Sequence, residues 1–242
     1  GKAVDFRYKL FPIFSNLIPA DPAMSKLITK VRAPYEAKLS EKLATTEGLL
    51  YRRGNFNGSF DQLILDGMLA QKNAEIAFSP GFRWGTSLLP GQAITRENLL
   101  DQTAITYPYS TVTDMSGETI KTILEDVADN LFNPDPYYQQ GGDMSRLGNV
   151  TYDIKVGGQT GRRISNLMVG GKPLDDKRTY KVSSWGGNLQ NAGHNLRDAL
   201  TKPVYDVTAQ YIRKQKNVNI SGNSNVRIMD YSCGCPSKGS RS

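Results

Sequence analysis

Ile164-Ser165-Asn166-Leu167-Met168-Val169-Gly170-Gly171-Lys172-Pro173-Leu174-Asp175-Asp176-Lys177-Arg178-Thr179-Tyr180-Lys181-Val182-Ser183-Ser184 is the stretch that decides the fold class. Apolar and β-branched residues gather at its two ends, so Ile164 to Val169 and Tyr180 to Ser184 read as strands. Gly170-Gly171 is a turn signal between them, and no helical period intervenes. Working outward, Val150 to Val156 is a further strand, closed by Gly157-Gly158. Upstream, Ser116-Gly117-Glu118 opens a helix through Phe132, with Ile120, Ile123, Leu124, Val127 and Leu131 facing inward. Helices and strands mix without a strand-helix-strand rhythm, which predicts an α+β fold.

The remaining segments fit that class. Asp5 to Phe14 alternates loosely and reads as a strand. Asp21-Pro22 is a helix start, and Leu27, Ile28, Val31, Tyr35 and Leu39 follow at helical spacing. Pro34 inside that pattern predicts a kink or two short helices. A strand and a charged helix at the start read as a connector, which gives three divisions: 1–44, 45–230 and a tail, 231–242. Within the large division, helices are expected at Asp61 to Lys72, Thr95 to Gln102 and Val204 to Lys214. Strands are expected at Glu75 to Phe78, across Ala104 to Asp114 with Pro108 breaking it, and at Asn225 to Met229. Asn133 to Gly148 reads as one long polar loop.

Composition excludes several functions. With 38% hydrophobic and 22% charged residues over 242 positions, the chain is ordinary for a globular protein. It has no apolar run of the roughly 18 to 20 residues a membrane span requires. Its first residues lack the basic and apolar regions of a signal peptide and read like the inside of a longer protein. The net charge is +7, from 30 Lys and Arg against 23 Asp and Glu. Arg52-Arg53, Arg162-Arg163 and Arg213-Lys214-Gln215-Lys216 are its basic groups, with no recognition-helix, zinc-finger or RNA-binding pattern beside them. A solvated basic surface is therefore expected, not a nucleic-acid site. Cys233 and Cys235 lie in a tail rich in Gly, Ser, Pro and Lys, with no second Cys/His pair to complete a metal site.

One histidine, His194, is the whole supply. A dinuclear hydrolytic site needs several His, Asp and Asn ligands around two ions, and that set is not available. Glu125-Asp126 and Asp175-Asp176 read as a solvated helix surface and a turn. Candidate chemistry rests instead on four loops: Gly81-Phe82-Arg83-Trp84, Tyr107-Pro108-Tyr109-Ser110, Gly141-Gly142-Asp143-Met144-Ser145-Arg146 and Trp185-Gly186-Gly187-Asn188. Glycine lets backbone N–H groups approach a ligand, and Arg offers a fork to an oxyanion. Aromatic rings supply flat walls. Each loop alone is equally a turn, and Trp185 equally fits a core; convergence of all four is what would mark a site.

These loops also carry a resemblance. From about Thr45 to Asp230 the chain is similar to the C-terminal domain of the 5'-nucleotidase family. Ser79-Pro80-Gly81-Phe82-Arg83 loosely resembles that family's Asn-Gly-Gly-x-x-Arg loop, with Ser79 and Pro80 replacing the Asn and first Gly. Tyr107-Pro108-Tyr109 and Ser116-Gly117-Glu118-Thr119-Ile120 resemble its Pro-aromatic strand and the helix start after it, and Met168 to Tyr180 is nearly intact. Leu50-Tyr51-Arg52-Arg53-Gly54-Asn55-Phe56-Asn57-Gly58 and Gln140 to Arg146 look like the wording of the family's thiosulfohydrolase branch, the SoxB type.

The resemblance implies a layered α+β C-terminal domain, hinged by a helix to a metallophosphoesterase domain. It implies hydrolysis of a cysteine S-thiosulfonate on a SoxYZ carrier, releasing sulfate in the periplasm. Two manganese ions on the other domain would be the cofactor, and this chain alone would be inactive. Arg83 and Arg146 would bind the sulfonate, while Trp84, Tyr107, Tyr109 and Trp185 would wall a channel for the carrier arm. Asp143 would orient Arg146 or an arm amide, beside Gly142 and Asn188. The two aromatics that sandwich a base in nucleotidases fall near Leu147 and Trp185. A nucleotide or nucleotide-sugar phosphohydrolase domain and a non-catalytic carrier-binding module remain alternatives.

Overall fold

A computed structural model of the chain describes residues 1–2, 4–14, 16–81, 85–103, 107–187, 189–198, 201–220 and 225–230. It divides into two units, Gly1–Ser40 and Glu41–Ser242. In the first, Asp21 caps α1 (Pro22–Arg32): its carboxylate accepts from the Met24 N–H at 2.7 Å, with Pro22 at the first helical position. The helix ends before Pro34, and α2 (Glu36–Leu39) follows, the two-helix outcome the proline predicts. Residues 5–14, expected as a strand, are not one. No strand among the described residues pairs with them, and an isolated strand leaves its backbone groups to water.

In the second unit the helices are α3 (Ser59–Lys72), α4 (Arg96–Thr103), α5 (Gly117–Phe132) and α6 (Val204–Gln215). The strands, numbered along the chain, are β1 (Lys42–Thr46), β2 (Ile76–Ser79), β3 (Ala93–Thr95), β4 (Ser110–Ser116), β5 (Arg146–Gly148) and β6 (Val150–Ile154). They continue with β7 (Ile164–Val169), β8 (Lys172–Pro173), β9 (Thr179–Trp185), β10 (His194–Arg197), β11 (Asn217–Val218) and β12 (Val226–Ile228). Among the described residues they form three sheets, ordered β11-β1-β3, β10-β4-β9-β2-β5 and β12-β6-β7-β8. The fold is α+β, as the sequence predicts. Lys42–Thr46, which begins inside the stretch read as connector, pairs with β3 and β11 and so belongs to this unit. No helix among the described residues is long and apolar enough to cross a membrane.

Within the β10-β4-β9-β2-β5 sheet, the inner strand β2 is buried on both faces. Ile76 and Phe78 of β2 join the core formed with α5, β6 and β7, while Ala77 joins the core formed with α3, α6 and β1. Ser116 fixes where α5 begins, its hydroxyl accepting from the Thr119 N–H at 3.1 Å. Glu125, read as part of a solvated acidic pair, is instead buried: its carboxylate accepts from the backbone N–H groups of Arg163 and Ile164. Arg163 is buried as well, bonded to Asp129 and to the Val156 and Phe132 carbonyls. That doublet is therefore not simply a solvated basic patch.

Asp153 ties β12 to β6. Hydrogen bonds from Arg227 first, then from Asn166, hold its carboxyl below the usual carboxylate range. A lowered folded value means stability present above the unfolded carboxyl value, about pH 3.9, and lost as pH falls through the folded one. Arg227→Met is expected to move the Asp153 midpoint upward in a carboxyl-carbon NMR titration, so acid unfolding begins at higher pH. A midpoint that stays put would remove the arginine as its cause.

Candidate functional site

Strand direction gathers the four loops. β2 and β9 run parallel, and their C-terminal ends lie beside the N-terminal ends of their antiparallel neighbours: Ser79 pairs with Arg146 and Trp185 with Ser110. Residues 80–81, 186–187, 107–109 and 141–145 therefore all leave the sheet at the same end. The approach is close. A Cβ on Gly81 would lie 2.7 Å from both the Asp143 Cβ and the Met144 carbonyl, so only glycine lets the two loops touch. Tyr109 bridges to Pro203, and the Pro108 carbonyl accepts from the Val204 N–H at 2.7 Å, anchoring the tyrosine loop to α6.

The exposed surface at this end includes Tyr107 (69% exposed), Tyr109 (39%) and Gly142, whose φ of +92° suits glycine. Arg83, Trp84 and Asn188, also expected here, lie outside the described residues. Two expected ligand contacts are corrected. Trp185 is 1% exposed and packs in the core, with its indole N–H donating to the Ser79 hydroxyl at 2.9 Å, so it walls no channel. Arg146 is wholly buried. Its guanidinium donates to Asp61 (3.3 Å), Asp143 (3.2 Å) and the carbonyls of Asn55 (2.9 Å), Met144 (3.0 Å) and Gly54 (2.6 Å). Those five bonds use the five N–H groups a guanidinium has, leaving none for a sulfonate. Asp143 forms a buried ion pair with Arg146 at 3.2 Å.

Asp61 also binds a second arginine, one that the sequence pattern groups with surface basic residues. Arg52, 1% exposed, donates to Asp61 at 2.7 Å and to the Pro80 carbonyl at 2.9 Å, and its other arm meets the Gln102 carbonyl. Its guanidinium lies 5.7 Å from the Trp185 ring centre. Asp61 sits in the first turn of α3, where its other bond comes from the Gly58 N–H at 3.0 Å and the helix dipole favours its charge. Burial pushes its carboxyl upward, and both arginines pull it back. Arg52, Arg146, Asp61 and Asp143 thus form a charge-balanced buried knot beneath the loops. Nothing local in the sequence marks it: an Arg-Arg doublet and a helix-start Asp are ordinary surface features.

His194 lies exposed on the edge strand β10, facing Asp114 across the ladder. A cavity of about 350 Å³ opens between Phe56, Phe132 and Ile228, next to Asn55, the residue whose carbonyl Arg146 holds. Among the described residues no three His, Cys, Asp or Glu side chains gather into a metal cage, so these residues do not fit a dimetal centre. The base sandwich fits no better. Leu147 and Trp185, at the two expected stacking positions, are both core residues.

The chain belongs to the 5'-nucleotidase C-terminal domain family, whose model matches residues 42–202. Among solved structures it is similar to the sulfate thiohydrolase SoxB of Thermus thermophilus, with 35% identity, a TM-score of 0.90 and 95% of this chain covered. It also shares its fold with a 5'-nucleotidase precursor from Thermus thermophilus, at 18% identity and a TM-score of 0.74 over 90% of this chain and 45% of that one. Protein UshA of Yersinia enterocolitica is 26% identical over 221 residues, 86% of this chain. The chain spans 42% of that SoxB chain and 37% of UshA.

Proposed function

We propose that the chain is the substrate-side domain of a thiosulfohydrolase, which hydrolyses a cysteine S-thiosulfonate on a SoxYZ carrier and releases sulfate in the periplasm. The observation that carries this reading is the similarity to SoxB, at 35% identity and a TM-score of 0.90 across 95% of the chain. A preceding metallophosphoesterase domain completes the enzyme, and the two manganese ions that belong to this reading sit in that domain. This chain alone is then inactive.

Its own residues bind and orient. Arg83 takes the terminal sulfonate, since Arg146 is consumed by its own protein; Tyr107 and Tyr109, with Trp84, flank the carrier arm. Gly142 and Asn188 offer backbone and amide contacts to the arm, and Asp143 keeps Arg146 in place beneath. The buried Leu147 and Trp185 count against a nucleotide base as ligand.

Arg83→Ala in the full-length parent is expected to lower turnover of carrier-bound S-thiosulfonate by about 100-fold, the loss typical of one removed oxyanion donor. Turnover within a few-fold of wild type overturns the role. Tight binding of adenosine or AMP would move the assignment to a nucleotide hydrolase. Undiminished carrier affinity in a variant lacking Arg83, with no turnover in the parent, would leave a binding module.

A further inference from the structure

A cavity of about 410 Å³ opens where α3 meets the turn from β5 into β6, with Gln62, Asp66 and Leu69 on the helix side and Asn149, Val150 and Met168 opposite. It lies away from the loop end of the central sheet. Asn149 donates its side-chain amide at 2.9 Å to the carbonyl of Glu75, just before β2, whereas the loops leave beyond Ser79. The volume falls within the roughly 300 to 1,000 Å³ of small-molecule sites. Among the described residues, the one charged side chain in its wall is Asp66, on a protein of net charge +7. Gln62 donates to one Asp66 oxygen at 2.7 Å, and Asn225 donates to the Gln62 oxygen at 3.3 Å. Among the described residues no hydrogen bond reaches the other Asp66 oxygen, and no cation pairs with it. Burial pushes this carboxyl upward, against the pull of the Gln62 bond.

The amide nitrogens in this wall turn toward protein acceptors, that of Gln62 to Asp66 and that of Asn149 to Glu75. The acceptors left over are the second Asp66 oxygen and the Asn149 amide oxygen. A wall of this kind selects a ligand that donates hydrogen bonds and carries positive charge, while Leu69, Val150 and Met168 add apolar surface beside it. We infer that this cavity binds a primary alkylammonium group, its ammonium on Asp66 and Asn149 and its alkyl chain over Leu69, Val150 and Met168. An ammonium has three donors and no acceptor, so it meets both oxygens without stranding a group of its own. A calcium ion fits less well, since it takes about six to eight oxygens. Among the described residues no three His, Cys, Asp or Glu side chains gather to supply them. The inference is independent of the function proposed above.

The test is an NMR titration of the full chain with n-butylamine at about pH 8, where an alkylamine keeps its proton and an aspartate has lost its own. Saturable shifts are expected at the Met168 methyl and the Asn149 side-chain amide, and none with n-butanol, the uncharged match. Asp66→Asn keeps the size and removes the charge, and is expected to weaken n-butylamine binding about tenfold, the order that a charged hydrogen bond supplies. Glu118→Gln, which removes an exposed carboxylate on α5, is the control and is expected to bind as wild type does. A wild-type chain with no saturable shift at either residue overturns the site, whether or not the Asp66 variant folds. Equal binding of n-butanol, or equal n-butylamine affinity in Asp66→Asn, overturns the ammonium. Lysine blocked at both ends, by acetyl and methylamide groups, separates the two sources of such a group. Binding at least as tight as that of n-butylamine assigns a lysine side chain of a partner protein, and weaker binding assigns a free amine.

Discussion

Arg146→Ala is expected to destabilise the second unit by about 3–5 kcal/mol, because it strands Asp61 and Asp143 in the interior with one guanidinium gone. Five acceptors each lose one hydrogen bond at once, three of them backbone carbonyls at residues 54, 55 and 144. For a unit of this size, such a loss lowers the melting temperature by roughly 6 to 20 °C. Urea unfolding followed by circular dichroism measures it. The result distinguishes a structural arginine from a ligand-binding one: a ligand arginine, replaced by alanine, would weaken anion affinity and leave the unfolding midpoint in place. A change below about 1 kcal/mol would overturn the buried-knot assignment, since surface substitutions normally fall in that range.

Trp185→Ala should cost a similar amount, about 3–5 kcal/mol, through the cavity left by a large core side chain. Trp185 is enclosed at the junction of β9 and the α3–α6 core, and Ser79 loses the indole donor. Trp185→Phe keeps most of the volume and should cost about 1 kcal/mol for the missing hydrogen bond. Arg52 also loses the Trp185 ring its guanidinium lies over in the alanine variant. If Trp185 were a channel wall, the phenylalanine variant would lower ligand affinity without touching stability. Chemical unfolding and a binding titration on the same two variants decide between these roles.

The parts of the fold that local chemistry controls were readable in the residues. Asp21 with Pro22, and Ser116 before Gly117, set helix starts through caps made within three residues. The strand, glycine turn and strand across β7 to β9 follow from side-chain alternation and from Gly170 and Gly171, both at positive φ. What escaped depends on partners far along the chain. Arg146 reads as a loop residue beside two glycines, yet its bonds go to Asp61, 85 residues away, and Gly54, 92 residues away. The same holds for Arg52, whose bonds reach Pro80 and Gln102. No short window tells an inward arginine from an outward one. β10 was missed for another reason: its four residues are all exposed, so it carries no apolar stripe and is a strand only because β4 supplies the ladder.

The placement of β9 has a consequence for biosynthesis. It lies between β4 and β2, pairing with both, yet it is the last of the three to be made. A nascent chain that has not reached Thr179 therefore holds β2 and β4 with an empty slot between them. While the ribosome moves from Ser116 to Thr179, Phe78 and Met115 have no sheet to complete their core. Unpaired strands with apolar side chains are prone to join the wrong neighbour, so a ribosome-stalled or truncated product ending before residue 179 is the form of this protein most exposed to aggregation and proteolysis.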